Sequence, residues 1–246
     1  MITTPRYLKK LSEWLLPPTC ILCHATSQQT LDLCYACMAE LPILPQSCPR
    51  CATILPMPLT ANLRCGECLK HPPAFDTTYA LFSYETPITK LIMELKFHQK
   101  LVNAELLGKL MANALTERWY YNKPKPDVII PIPLHPIRLQ ERGFNQALEI
   151  ARPISKALHI PIDILSCQRI KHTEAQAQLL AENRGQNMKN SFRINATLKG
   201  KHIAVVDDVI TTGHTVEAFS QALKTAGASR IDIWSVARAT LTASAL

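Results

Sequence analysis

The densest chemistry in the chain lies in residues 203–215: Ile203, Ala204, Val205, Val206, Asp207, Asp208, Val209, Ile210, Thr211, Thr212, Gly213, His214 and Thr215. The four leading apolar residues predict a buried strand. Asp207 and Asp208 stand at its carboxyl end, and the loop from Thr211 to Thr215 opens a helix from Val216. Backbone N–H groups at a helix start, joined by three threonine hydroxyls, make a cradle for phosphate. Gly213 permits a backbone shape and a close approach that a side chain would block. Adjacent carboxylates beside such a cradle suit ribose hydroxyls and a hydrated Mg2+. An ordinary strand–turn–helix accounts for the loop but not for the acid pair.

A second chemistry lies near the N-terminus. Eight of nine cysteines form Cys-x-x-Cys pairs: Cys20/Cys23, Cys34/Cys37, Cys48/Cys51 and Cys65/Cys68. Two residues between cysteines let one tight turn aim both sulfurs at one metal, and two such knuckles suit tetrahedral zinc. Sequential pairing predicts Cys20, Cys23, Cys34 and Cys37 on one ion, and Cys48, Cys51, Cys65 and Cys68 on another. Spacing leaves an interleaved pairing open, and with it one or two ions. His24 and His71 are read as bystanders, because thiolates already fill the sites. Closed four-cysteine sites leave no coordination position for substrate, so the zinc is structural. Zinc binding at roughly 10–16 kcal/mol per site would largely replace a core. Cys167 follows the apolar run from Ile162 and reads as a buried thiol rather than a nucleophile.

The elements that must position these groups can be read from periodicity. Strands are predicted at 79–84, 127–132, 162–165, 201–207 and 230–237, and helices at 6–16, 87–97, 104–119, 145–158 and 216–226. Residues 174–184 read as a helix or a mobile arm. Alternation of strands and helices from residue 79 predicts an α/β domain with a mostly parallel sheet, whose ligands bind at the carboxyl ends of strands. The domains are placed at 1–75, helix and zinc module, and 76–246, the α/β domain.

Composition narrows the function classes. Of 246 residues 47% are hydrophobic and 19% charged, which excludes global disorder. Neither a signal peptide nor an 18-residue apolar run is found, so a cytoplasmic protein is expected. Net charge is +8, and residues 168–201 contribute +5 through seven Lys/Arg against two acids. Such a segment attracts phosphate on a small molecule or on nucleic acid, or is simply a solvated surface. Residues 1–75 hold six Lys/Arg against four acids, a weak basis for a DNA-binding zinc module.

Residues 203–215 resemble the PRPP (5-phosphoribosyl 1-pyrophosphate) motif of type I phosphoribosyltransferases at every diagnostic position. The resemblance implies that Asp207 and Asp208 hold the ribose hydroxyls, and that Thr211, Thr212, Gly213, His214 and Thr215 hold the 5-phosphate. Pro131, Ile132, Pro133 and Leu134, then Arg138 and Arg142-Gly143-Phe144-Asn145-Gln146, are similar to the signature of the ComF family. So are Leu95-Lys96-Phe97 and the series Arg169, Thr173, Gln176, Leu179, Arg184, Asn187, Phe192. With the cysteine pairs in front, the likeness spans about residues 14–238. It implies a type I phosphoribosyltransferase fold behind a double zinc ribbon. Pyrophosphate would lie at Pro131–Leu134, with Arg138 and Arg142 neutralising it, and the 168–193 arm would close over it. Asp207, Asp208 and Arg142 would be the catalytic residues, with Mg2+ accompanying PRPP. The implied setting is natural competence and DNA uptake at the cytoplasmic side, peripheral to the membrane. Phosphoribosyl transfer to an unknown acceptor, PRPP or nucleotide sensing without turnover, and single-stranded DNA binding with uptake proteins all remain open.

Overall fold

The computed structural model describes residues 19–27, 31–55, 63–171 and 191–239. The chain divides into two compact units, Met1–Pro42 and Ile43–Leu246. In the first, Ser27 donates from its hydroxyl to the carbonyls of Leu31 (2.9 Å) and Leu33 (3.1 Å). Leu33 is buried just before the short helix α1 (Tyr35–Ala39).

The second unit holds the second group of four cysteines, with helix α2 (Gly66–Lys70), and a four-stranded parallel sheet. Its strands are β1 (Thr77–Ser83), β2 (Val128–Pro131), β5 (His202–Ile210) and β6 (Arg230–Arg238), in the order β1-β6-β5-β2. A separate antiparallel pair joins β3 (Cys167–Arg169) to β4 (Phe192–Ile194). Helices α3 (Ile88–His98) and α4 (Leu101–Ala114) follow β1, and one π turn, Leu115–Trp119, ends α4. Helices α5 (Pro136–Arg142) and α6 (Gln146–Leu158) follow β2, and α7 (His214–Thr225) links β5 to β6. The α/β class with a parallel sheet is as expected. No helix among the described residues is long and apolar enough to cross a membrane.

Parallel strands covered on both faces need continuous apolar runs. β6 comes close, with Ile231, Ile233, Trp234, Val236 and Ala237 all inaccessible to solvent and only Asp232 and Ser235 interrupting them. Helix α6 is amphipathic: Ala147, Ile150, Ala151, Ile154 and Leu158 are buried at helical spacing. The Asn145 side chain caps it by accepting from the Ala147 N–H at 3.0 Å.

Three local expectations change. The strand expected at 162–165 is reduced to one bridge between Ile129 and Ile162. There Asp163 Oδ1 accepts from the N–H groups of Leu165 (2.9 Å) and Ser166 (3.0 Å), so the chain turns and leaves Ile164 and Leu165 exposed. The strand expected to stop at Asp207 continues to Ile210, because β6 is long enough to pair with it that far. A short helix, α5, occupies Pro136–Arg142, where Pro136 presets the first turn. The helix expected at 6–16 and the arm at 174–184 lie outside the described residues.

Gly108 on α4 lies so close to α6 that an added Cβ would meet Pro153 Cγ and the Ile150 carbonyl oxygen well inside contact distance. Gly108→Ala is therefore expected to destabilise the protein by about 1–3 kcal/mol in urea unfolding, despite the roughly 1 kcal/mol that alanine adds to an isolated helix.

Candidate functional site

The site grows from unequal strand lengths. β2 ends with Pro131 opposite Val206, while β6 stays paired to β5 through Ile210. Asp207 and Asp208 thus lie past the end of β2 but within a strand that β6 still holds. Asp208 is buried and Asp207 half-buried. Asp207 Oδ1 accepts from the Asp208 N–H at 2.9 Å.

The cations and donors around the pair come from separate elements. Lys96, on α3, pairs its ammonium with Asp208 Oδ2. Gln146, the first residue of α6, reaches Asp208 Oδ1 at 3.5 Å, and Arg142 at the end of α5 donates to Gln146 Oε1. The Arg142 guanidinium also lies 6.0 Å from the Phe97 ring centre. Lost water and the negative charge of Asp208 push the Asp207 carboxyl well above the usual range, with Lys96 acting the other way. Burial pulls Arg142 down, opposed by Asp208 and reinforced by Arg138. Burial also lowers Arg169, whose guanidinium lies 5.6 Å from the Phe192 ring centre and within the electrostatic reach of Arg138 and Asp207.

The loop after β5 has the expected form. Gly213 adopts φ +85°, a left-handed conformation that favours glycine, and α7 begins at His214. Thr212 Oγ1 and His214 Nδ1 are 3.1 Å apart, so the ring takes part in the loop together with its backbone. On the β2 side, Ile132 N–H donates to the Val206 carbonyl at 3.0 Å, and Asn145 Nδ2 donates to the Ile132 carbonyl at 3.0 Å. These bonds fix the Pro131–Leu134 turn one residue from the acid pair. A cleft of about 720 Å3 opens beside it, lined by Pro133, Leu134, Leu139, Phe144, Cys167 and Arg169 among others.

The fold thus brings Asp207, Asp208, Arg138, Arg142, Pro131–Leu134 and Thr211–Thr215 to the carboxyl end of the sheet. Sequence reading passed over Lys96, Gln146 and Arg169 as site residues. Lys96 had a signal: it follows Ile92 by four residues and so edges the apolar stripe of its helix. Arg184 and Lys189 lie outside the described residues. Cys167 is buried at the start of β3, and burial pushes its thiol up to about 12, as an inert core sulfur requires.

The cysteines assemble sequentially. Cys20, Cys23, Cys34 and Cys37 form one group, and Cys48, Cys51, Cys65 and Cys68 the other, with all ligand sulfurs of a group within 4.8 Å of one another. Cys23 and Cys34 sulfurs are 3.7 Å apart, and Cys51 and Cys65 sulfurs 3.6 Å. Zn–S bonds of about 2.3 Å in a tetrahedron give edges of about 3.8 Å, so both groups fit zinc. Although burial acts upward, backbone N–H groups of Cys34, Cys23 and Leu22 pull the Cys20 thiol down to about 6. Similar donors bring the buried Cys48 to about 7. Burial and neighbouring sulfurs push Cys37 and Cys68 upward, as four clustered thiols require until a cation joins them. His24 and His71 stay outside both groups.

Comparison with known proteins gives two domain matches: a double zinc ribbon domain over residues 11–69 and a phosphoribosyl transferase domain over residues 109–241. The chain is 33% identical over 226 residues to the DNA utilization protein YhgH of Escherichia coli (strain K12), covering 91% of this chain and 98% of that one. It is 33% identical over 225 residues to competence protein F of Haemophilus influenzae, covering 89% and 96%. Competence protein ComFC of Bacillus subtilis is 24% identical over 226 residues, covering 83% and 88%.

A carboxyl whose folded value is raised stabilises the fold while protonated, and that stability is lost as pH rises through the folded value. Asp207→Asn is expected to remove this loss. Calorimetric Tm of the ligand-free protein at pH 7–8 should rise by about 2–4 °C, the change that roughly 1 kcal/mol gives at this size, and its fall with increasing pH should flatten.

Proposed function

Because the chain belongs to the ComF family, in which a double zinc ribbon precedes a phosphoribosyltransferase domain, we propose that it binds PRPP at the carboxyl end of β5 and serves the cytoplasmic handling of DNA. One observation carries the reading: an acid pair and a threonine-lined turn at a helix start converge on one strand exit. In this reading Asp207 and Asp208 receive the ribose hydroxyls. Thr211–Thr215 hold the 5-phosphate with N–H groups and hydroxyls. The Pro131–Leu134 turn receives the pyrophosphate, with Arg138 and Arg142 matching its charge. Mg2+ would lower the charge of the diphosphate that these residues must hold. The zinc ribbons act as structural parts. The names of the relatives, competence protein F and DNA utilization protein, support placing this chemistry in DNA uptake or use.

If a phosphoribosyl group is transferred, the acceptor displaces pyrophosphate at the anomeric carbon, and Arg138 and Arg142 beside the turn stabilise the leaving group. A second reading, retention of PRPP or a nucleotide as a signal without turnover, is favoured by the ion pair of Lys96 with Asp208. That pair sets a positive charge where positive charge would develop on the ribose.

Titration calorimetry with PRPP and Mg2+ on zinc-replete protein tests the site. Heat of binding is expected in the wild type, and Asp207→Asn should weaken it by about tenfold or more while zinc content stays unchanged. No binding by the wild type would end the proposal. Pyrophosphate release with a panel of nucleobases then separates transfer from retention.

A further inference from the structure

Arg238 ends β6, pairs in register with Ile210, and is almost wholly buried. Its guanidinium faces two ways. Nη1 donates to the Ile210 carbonyl at 3.0 Å and to the Thr211 carbonyl, which opens the loop that leads into α7. Nη2 donates to Thr53 Oγ1 at 3.2 Å. Thr53 belongs to the second cysteine knuckle: its carbonyl accepts from the Cys48 N–H at 2.8 Å, and its hydroxyl lies 3.2 Å from the Cys51 sulfur. A hydroxyl that accepts from arginine keeps its own proton to donate. With zinc bound, Cys51 is a thiolate and accepts it. The donors then run in one direction, from Arg238 to Thr53 to the Cys51 sulfur, and each bond polarises the next. Four thiolates around one zinc keep a net negative charge, and the buried guanidinium matches it.

We propose that Arg238 is a positioning residue that couples the second zinc cluster to the phosphate loop, so that metal at Cys48, Cys51, Cys65 and Cys68 holds Thr211 in the shape that binds ligand. The consequence for PRPP rests on the reading above; the coupling itself does not. Loss of zinc removes the fixed acceptor at one end of the relay, and the loop loses an anchor that a surface ribbon would not supply. Lysine cannot replace the fork, since an ammonium cannot span acceptors on both sides.

Two measurements on zinc-replete full-length protein test the coupling. In hydrogen exchange, amides of residues 211–214 are expected to exchange about tenfold faster or more in Arg238→Met than in the wild type, as loss of a charged, buried hydrogen bond implies. Thr53→Val, which keeps the side-chain shape and spares the bonds to Ile210 and Thr211, should give a smaller increase. Amides of residues 203–206 should stay protected in both variants, which shows the sheet intact. In the second measurement, zinc retention is titrated against a competing chelator with and without PRPP and Mg2+. Coupling is reciprocal, so the ligand should tighten zinc in the wild type and lose that effect in Arg238→Met, a result that a merely structural arginine would not produce. Unchanged loop exchange in both zinc-bound variants would overturn the coupling. A wild type that fails to bind PRPP would overturn the functional reading instead, while exchange still decides the role of Arg238.

Discussion

Burying a carboxylate costs several kcal/mol unless donors and cations replace its water, and this chain buries acids at both ends of its two central strands. At the amino ends of β5 and β6, Asp232 is wholly inaccessible and fully matched. It accepts from Tyr120 Oη and from Arg230 Nε at 3.0 Å, and its Oδ2 lies 2.8 Å from His202 Nε2. Burial alone would push that carboxyl up, yet these partners hold it below the usual range. At the carboxyl ends, Asp207 and Asp208 stand side by side, and Lys96 offers them one ammonium. The first acid fastens the strands together, whereas the second site leaves binding capacity unspent, as perturbed groups at functional sites do.

The second cysteine cluster belongs to the same economy of polar groups. In a sheet ordered β1-β6-β5-β2, β1 is an edge strand and would expose unpaired backbone. The stretch that carries the knuckle covers it. Ile43 bridges Phe82, Leu44 N–H donates to the Leu81 carbonyl at 3.0 Å, and Thr78 N–H donates to the Pro49 carbonyl at 3.0 Å. Arg50 adds a bond of 2.8 Å to the Pro73 carbonyl and a longer ion pair with Asp76. A short ribbon can do this only if it stays folded itself, and a fourfold sulfur site holding metal would help to keep it so.

How legible all this was depends on the range of the interaction. The acid pair, the glycine at the helix start and the cysteine knuckles are local patterns, and each lies where the sequence places it. Sequential zinc pairing was one of two open choices, and the 4.8 Å grouping of the sulfurs decides it. The end of β5 could not be read locally, because it is set by the length of β6, a strand some twenty residues later. Ile162 to Leu165 misled for the opposite reason: a local side-chain bond from Asp163 overrode the β propensity of Ile164 and Leu165. Lys96 was visible as part of a family-like tripeptide and at the edge of an apolar helical stripe, neither of which names its partner. Its role follows from a contact across more than a hundred residues of chain.

The Lys96–Asp208 pair also bears on which ligands the pocket selects. A diol alone would have to displace an ammonium from a buried carboxylate and give that ammonium nothing in return, which leaves a partly buried charge unpaired. A ligand that carries a diol together with an anion within reach of Lys96 satisfies both members at once: the hydroxyls take Asp208 and the anion takes the ammonium. A ligand lacking that anion would leave the pair closed and the acid committed. If the pocket takes PRPP as proposed, the resting ion pair would favour a sugar bearing phosphates over a bare diol, alongside the helix start and the arginines.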